Sequence, residues 1–345
     1  MTQQKKRFDV LIIGGGPAAI TIVKTLAGKK KAAVIRPEEH SMIYCAMPYV
    51  IEKILPMEKT FKKDELVTST GAELIRDTVT KVDFGSKSVF TASGEKYRYE
   101  KLVIATGASP FLPPVPGKDL EGVMTFKTEA DLRKILAGTE NGLRRAVVVG
   151  AGAIGIELAQ ALKSVGVETH LVDMETQVLP NLVDGDMAME AEKRLTAMGI
   201  NLHLGERVTA LKGEKAVHEL SFQSGKSIPL HSNGNGAHAD KGSGLVVFAV
   251  GVKPDVHLFR DTDLETGRDG IVVNERMETN IKDVYAAGDC VQFTNAITGE
   301  ITNGKLATNA VPMGRVVAKN LLGENAAYKG FFNGAATKIE DLFIG

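Results

Sequence analysis

Ala146-Val147-Val148-Val149-Gly150-Ala151-Gly152-Ala153-Ile154-Gly155-Ile156-Glu157 joins a short apolar strand to a helix through a G-x-G-x-x-G turn. The first glycine turns the chain, the second lets backbone approach a pyrophosphate, and the third lets helix pack closely on sheet. The helix N-terminus then offers its unsatisfied N–H groups and partial positive charge to phosphate. Gly150, Gly152, Ala153, Ile154 and Gly155 are therefore candidate dinucleotide ligands. The next apolar run, 168–173, closes on Asp173, at the spacing of about 20 residues where a carboxylate accepts ribose hydroxyls and repels a 2′-phosphate. No Arg or Lys falls within 171–178, so the reading is an NADH site.

The same grammar appears earlier. An apolar strand at 8–13 runs into Gly14-Gly15-Gly16-Pro17-Ala18-Ala19, a G-x-G-x-x-A turn, followed by a helix over 18–26 and a strand at 32–35. Gly14, Gly16, Pro17 and Ala18 are the second set of candidate cofactor ligands. Two such units imply two dinucleotide folds in one chain. Between them the run Pro110-Phe111-Leu112-Pro113-Pro114-Val115-Pro116-Gly117 forbids regular structure and marks a crossing between domains. A buried strand at 245–250 ends at Gly251-Val252-Lys253-Pro254, a return crossing, and Gly251 joins the cofactor candidates.

Composition agrees with this. The 345 residues exceed one ordinary domain, 36 are glycine, and 42 basic residues balance 42 acidic ones. No net field draws the chain to nucleic acid or an anionic membrane, and a small-molecule partner fits better. Lys5-Lys6-Arg7 before Val10-Leu11-Ile12-Ile13 imitates a signal peptide, but the apolar run breaks at Gly14. A cytoplasmic protein without a membrane span is expected. Two cysteines, Cys45 and Cys290, make neither a disulfide framework nor a zinc site. His231, His238 and Asp240 lie in a Gly/Asn/Ser-rich stretch that reads as a surface loop rather than a metal cage, so no metal is expected.

Two distant turns carry a family resemblance. Leu102-Val103-Ile104-Ala105-Thr106-Gly107 and Val284-Tyr285-Ala286-Ala287-Gly288-Asp289 are strands that end in small-residue turns. With the first glycine motif they resemble the pyridine nucleotide–disulfide oxidoreductase superfamily. The resemblance implies an α/β, glutathione-reductase-like fold of two Rossmann-like dinucleotide-binding domains, the NADH domain inserted into the FAD domain. It adds Ala105, Thr106, Gly107, Gly288 and Asp289 as FAD ligands, with Asp289 on the ribityl chain. The implied domains are 1–115 and 251–322 for FAD and 116–250 for NADH. The family ends its second strand on a ribose-binding glutamate. Here Ile35 stands at that position, leaving Glu38 or backbone groups to hold the ribose. Glu157, which the reading puts in the first helical turn, matches an acid that approaches nicotinamide and flavin in the family.

Ser41-Met42-Ile43-Tyr44-Cys45-Ala46-Met47-Pro48-Tyr49 bears on the chemistry. A lone cytosolic cysteine is usually a small core residue, but this one follows the second strand and heads C-x-x-P-Y. It is similar to the single-cysteine branch containing coenzyme A disulfide reductases, persulfide reductases and NADH oxidases, where the cysteine begins a helix against the flavin. Val50 stands where a dithiol pair needs a second cysteine, and Pro17 where peroxidases carry histidine. The resemblance implies catalytic Cys45 reducing a disulfide, persulfide or polysulfide, coenzyme A-linked substrates among them. An NADH oxidase or a rubredoxin-type electron-transfer reductase, with no role for Cys45, is the alternative. Thr25 occupies the place of a phosphate-binding arginine; Lys24 and Lys29 to Lys31 read rather as a solvated helix end. Cys290 is expected to be structural.

Gly304-Lys305-Leu306-Ala307 through Ala310, Gly314-Arg315 and Asn320 resemble the family's last FAD-domain helix. Residues 323–345 resemble the start of a dimerisation domain that in the family runs on for on the order of 100 residues. The expectation is a shortened chain whose homodimer contacts lie in the missing part, leaving Phe331, Phe332, Leu342, Phe343 and Ile344 without a core.

Overall fold

A computed structural model describes residues 6–230, 244–302, 305–331 and 334–345. His231, His238, Asp240, Gly304 and Phe332 lie outside the described residues. The chain forms two compact units: residues 1–42, 61–109 and 253–333 make the first, and residues 43–60, 110–252 and 334–345 the second. Two features depart from the expected boundaries. Residues 43–60, with Cys45, belong to the second unit. Of the last described residues, Phe331 belongs to the first unit and Gly334–Gly345 to the second.

The first unit is built on a seven-stranded sheet. Glu73–Arg76, Ala32–Arg36, Arg7–Ile13 and Lys96–Ile104 lie side by side in parallel. On its other edge Lys96–Ile104 serves two further partners. Its first half pairs antiparallel with Ser88–Thr91, which pairs in turn with Val79–Asp83, and its second half pairs in parallel with Val284–Ala286. The strand that returns from the second crossing thus completes the sheet begun at residue 7. Central strands read as continuous apolar runs because both faces are covered, and Leu11, Ile12, Val34, Leu102, Val103 and Ile104 are fully buried. The helices Pro17–Leu26 and Ala307–Leu321 pack on one another. Gly314 is needed there, because a Cβ would lie 2.6 Å from the Ala18 carbonyl oxygen.

The expectation that the C-terminal aromatics lack a core is corrected for Phe331. It is 2% exposed and meets Phe293 edge to face at 5.4 Å, within the core of the first unit. Ile344 is likewise buried, in the second unit, whereas Phe343 is exposed.

The second unit holds a five-stranded parallel sheet in the order Val123–Thr125, Leu245–Phe248, Arg145–Val149, Glu168–Val172, Asn201–His203. A three-stranded antiparallel sheet, Val208–Lys212, Glu219–Phe222 and Ser227–Pro229, covers it, burying Leu211, Leu220, Phe222 and Ile228 with Val147, Val246 and Phe248. Among the described residues no helix is long and apolar enough to cross a membrane.

One ion cluster ties the return strand of the first unit to the strands it joins. Asp283 accepts hydrogen bonds from the ammonium groups of Lys101, at 2.6 Å, and Lys87. These bonds hold its carboxyl down to about 2. A depressed carboxyl adds stability that is present above the unfolded pKa of about 4 and is lost as pH falls through the folded value. Asp283→Asn should therefore lower stability by about 1 kcal/mol at pH 7. In urea melts the gap from wild type should close between about pH 4 and about pH 2; a gap that persists at pH 2 would contradict the assignment.

Candidate functional site: two glycine turns and an exposed cysteine

The first turn is shaped by a close approach of backbone to backbone. Gly14 has φ 107°, and a Cβ there would lie 2.0 Å from the Ala105 carbonyl oxygen. Its N–H donates to the Ile35 carbonyl at 2.8 Å, and the Ala105 N–H donates to the Ile13 carbonyl at 2.8 Å. Three strand ends are thus drawn together. The helix begins at Pro17, one residue earlier than expected, with Pro in the first turn, where it has no N–H to lose. Gly16 is its N-cap and makes no side-chain cap, and a Cβ there would meet nothing within 4 Å. The first amides of the helix therefore face open space of the kind a pyrophosphate occupies. Gly288, at φ 85°, sits against Ala18 and Ala310, which places the Gly288-Asp289 turn at the same helix start.

Cys290 shows why it is not a reactive thiol. It is fully buried, its Sγ lies 3.5 Å from the carbonyls of Ile104 and Ala287, and burial pushes its pKa up to about 11. It ties the strand end before Ala105-Thr106-Gly107 to the strand end before Gly288-Asp289. Thr106 donates its hydroxyl to the Asp255 carbonyl at 2.8 Å, and Gly107, at φ 79°, accepts the Asp255 N–H. Those two turns are held from beneath.

Three side chains here were not anticipated. The second strand runs on to Arg36, which is 4% exposed, lies along Gly15 and pairs with Asp64 at 2.5 Å; Glu38 follows in an exposed turn. The strand thus runs one residue past Ile35 and closes on a buried cation. Asp64 is also held by Arg76. Lys305 is half-buried, and burial lowers its ammonium pKa while Asp269 and Asp289 oppose the shift. Only the tertiary fold brings Lys305 near Asp289, so nothing local signalled it.

The second turn repeats the arrangement. Gly150 has φ 113°, with the Ala249 carbonyl oxygen 2.5 Å from a would-be Cβ, and its N–H donates to the Val172 carbonyl at 2.7 Å. Gly155 must lack a side chain because the Gly150 carbonyl oxygen would be 1.8 Å away. Gly152 caps the helix without a side-chain bond, and a Cβ there would meet nothing. Asp173 immediately follows the strand Glu168–Val172. One carboxylate oxygen accepts the Ala151 N–H at 2.6 Å, and the other accepts the Glu175 N–H at 2.9 Å. Each oxygen keeps acceptor capacity for a ribose hydroxyl, and the acid is oriented by the glycine turn itself. Gly251 is exposed at φ 98° with open space around it, and the carbonyl of this glycine accepts the Phe111 N–H.

Glu157 does not lie in the first helical turn. The helix starts at Ala153, exposing the side chain of Ile154, and Glu157 is its fifth residue, beyond the span over which a helix terminus acts strongly. Its pKa is raised mainly by burial, with the Glu52 carboxylate adding to the shift and a Thr337 hydrogen bond at 3.0 Å opposing it.

Cys45 is exposed and stands in a short 3-10 turn, Tyr44–Ala46, ahead of the five-residue helix Met47–Ile51. It does not begin an α-helix as the resemblance implied, because Pro48 favours a helix start just after it. Lys127 lies over the Tyr44 ring at 5.4 Å. Burial and the charges of Glu157, Glu52 and Cys45 all raise the Tyr49 pKa, so phenol, thiol and the two carboxyls share one region of the second unit. No group of three or more metal-ligating side chains occurs among the described residues.

Comparison with known proteins follows the same lines. The pyridine nucleotide-disulphide oxidoreductase family model matches residues 8–314. An NADH oxidase of Methanocaldococcus jannaschii is 36% identical over 353 residues, covering 97% of this chain and 75% of that protein. An NAD(P)H coenzyme A polysulfide/persulfide reductase of Pyrococcus horikoshii is 30% identical over 352 residues, covering 99% of this chain and 76% of that protein. A solved NAD-dependent persulfide reductase from A. fulgidus has a TM-score of 0.88 at 30% identity and covers 97% of this chain. This chain covers 62% of that one, less than two thirds of its length. With two glycine cradles, each on parallel strands of its own sheet, the chain belongs to the pyridine nucleotide-disulphide oxidoreductase family, whose members bind FAD and NADH.

Proposed function

We propose that the protein is an FAD-dependent NADH oxidoreductase that reduces a disulfide, persulfide or polysulfide, coenzyme A-linked substrates among them, through Cys45. The observation that carries this reading is the contrast between the cysteines. Cys45 is exposed with no second cysteine beside it, while Cys290 is sealed in the core. A single accessible thiol suits attack on substrate sulfur, not an internal dithiol cycle.

Gly14, Gly16, Pro17, Ala18, the Ala105-Thr106-Gly107 turn and Gly288-Asp289 would hold FAD. Gly150, Gly152, Ala153, Ile154, Gly155 and Asp173 would hold NADH, with Glu157 and Gly251 on the nicotinamide side. Bound FAD supplies the two-electron link between a nicotinamide hydride and a sulfur–sulfur bond. The Cys45 thiolate attacks one substrate sulfur, the substrate S–S bond breaks, and one thiol leaves with a proton from solvent. Cys45 is then in a mixed disulfide. Two electrons from NADH break that bond, restoring the Cys45 thiolate and releasing the second thiol with one more proton. The sum is NADH, one proton and a disulfide giving NAD+ and two thiols. Asp173 favours NADH over NADPH because its anchored carboxylate would face a 2′-phosphate with like charge.

The resemblance to an NADH oxidase supports a second reading, in which oxygen is the acceptor and Cys45 is not required. Cys45→Ser separates the two. NADH consumption with coenzyme A disulfide or persulfide should fall at least about a hundredfold if the thiol is the nucleophile; disulfide reduction that survives the substitution sinks the sulfur reading. The holoenzyme should be yellow and bleach anaerobically with NADH, and steady-state rates should favour NADH over NADPH. A preference for NADPH would overturn the role given to Asp173.

The cradles make a separate prediction. Gly152→Ala adds a methyl group that meets no protein atom, so folding and thermal midpoint should stay near wild type while NADH affinity falls at least about tenfold. Gly150→Ala, by contrast, should disrupt folding, because it combines positive φ with a clash against Ala249.

A further inference from the structure

Glu157 is the sole acid on the helix Ala153–Ser164, and a residue 180 positions away in sequence contacts its carboxylate. Thr337 donates its hydroxyl to Glu157 Oε1 at 3.0 Å and is itself 3% exposed. It opens a hairpin in which Thr337–Ile339 pairs with Leu342–Ile344. The hairpin is fastened to the same helix one turn further on. Gln160 donates its side-chain amide to the Lys338 carbonyl at 2.9 Å and accepts the Glu340 N–H at 3.2 Å. Ile339 is fully buried, and Asp341 pairs with Arg194 of the helix Gly185–Ala197. The hydroxyl is therefore presented by a fixed backbone.

The rest of the surroundings work against ionisation. Glu157 is half-buried, and Glu52, which follows the helix Met47–Ile51, adds a like charge. Burial raises Glu52 as well, with Lys338 of the hairpin opposing the shift. The Tyr49 phenol couples to both carboxyls and to Cys45. Beneath the helix, Val148 lies against Gly155 and is apolar and fully buried. Thr337 is thus a hydrogen-bond donor that favours the charged form of Glu157.

We propose that Thr337 is a positioning residue for the nicotinamide side of the second unit: its hydroxyl fixes the Glu157 carboxylate in place beside the like charge of Glu52. This rests on the reading that the second unit binds NADH. Removing the hydroxyl leaves a half-buried carboxylate beside a like charge with one donor fewer, and a proton then satisfies it instead. The acid limb of any step that needs the carboxylate moves to higher pH.

The test uses the FAD-loaded protein labelled with 13C-carboxyl glutamate, with the Glu157 signal assigned by its loss in Glu157→Gln. In Thr337→Val, which keeps side-chain volume, the Glu157 titration should move upward in pH, and Thr337→Ser should return it toward wild type. The acid limb of anaerobic flavin bleaching by NADH should follow the same order, moving to higher pH in Thr337→Val and back toward wild type in Thr337→Ser. If Thr337→Val does not fold by circular dichroism, Thr337→Ala carries the same expectation. An unmoved Glu157 titration overturns the proposal. So does a moved titration that leaves the bleaching profile unchanged, since Thr337 would then be structural only. Failure of wild type to bleach with any nicotinamide nucleotide overturns the NADH reading instead, and the proposal with it; the carboxyl titration distinguishes that case.

Discussion

In each unit one stretch of backbone passes so close to the end of a neighbouring strand that no side chain fits between them. A Cβ at Gly14 would sit 2.0 Å from the Ala105 oxygen, and one at Gly150 would sit 2.5 Å from the Ala249 oxygen. Both glycines also occupy positive φ. The approach brings the start of a helix over the ends of parallel strands, where Gly16 and Gly152 leave open space in front of the helix. Strand order, the return of Val284–Ala286 to the first sheet and the anchoring of Asp173 to Ala151 all depend on that geometry.

The two sites differ in how they complete themselves. In the second unit the acid that would read the ribose is local, 22 residues beyond the amide that anchors it. In the first unit the corresponding strand closes on buried Arg36, and the ligands it offers come from turns far apart in sequence, joined by Cys290. The first site is consequently assembled by the fold and the second largely by one supersecondary unit. The same division applies to the thiols. Cys290 is buried between two carbonyls of the scaffold, while Cys45 is exposed ahead of a short helix.

Much of the architecture was legible in the residues. Glycine spacing after an apolar run reports a steric demand of the backbone, and the proline-rich stretch 110–117 reports a segment unable to join a sheet. Other features had no local signal. The C-terminal segment reads as aromatics and aliphatics without a core, yet Phe331 packs on Phe293 and Ile339 is fully buried. Glu157 reads as a first-turn acid only if the helix is started three residues late, since the apolar period does not register that Ala153 already has helical backbone.

The sequence by itself determined the two βαβ units, their glycine turns and the acid Asp173 that follows the strand after the second turn, because each of these is a constraint among residues within about 25 positions of one another. The tertiary structure alone decided that Lys305 lies near Asp289, that Arg36 fills the flank of Gly15 and that Thr337 meets Glu157. Those pairings join segments whose meeting depends on how separate strands and helices pack, and burial then sets the protonation of the groups brought together.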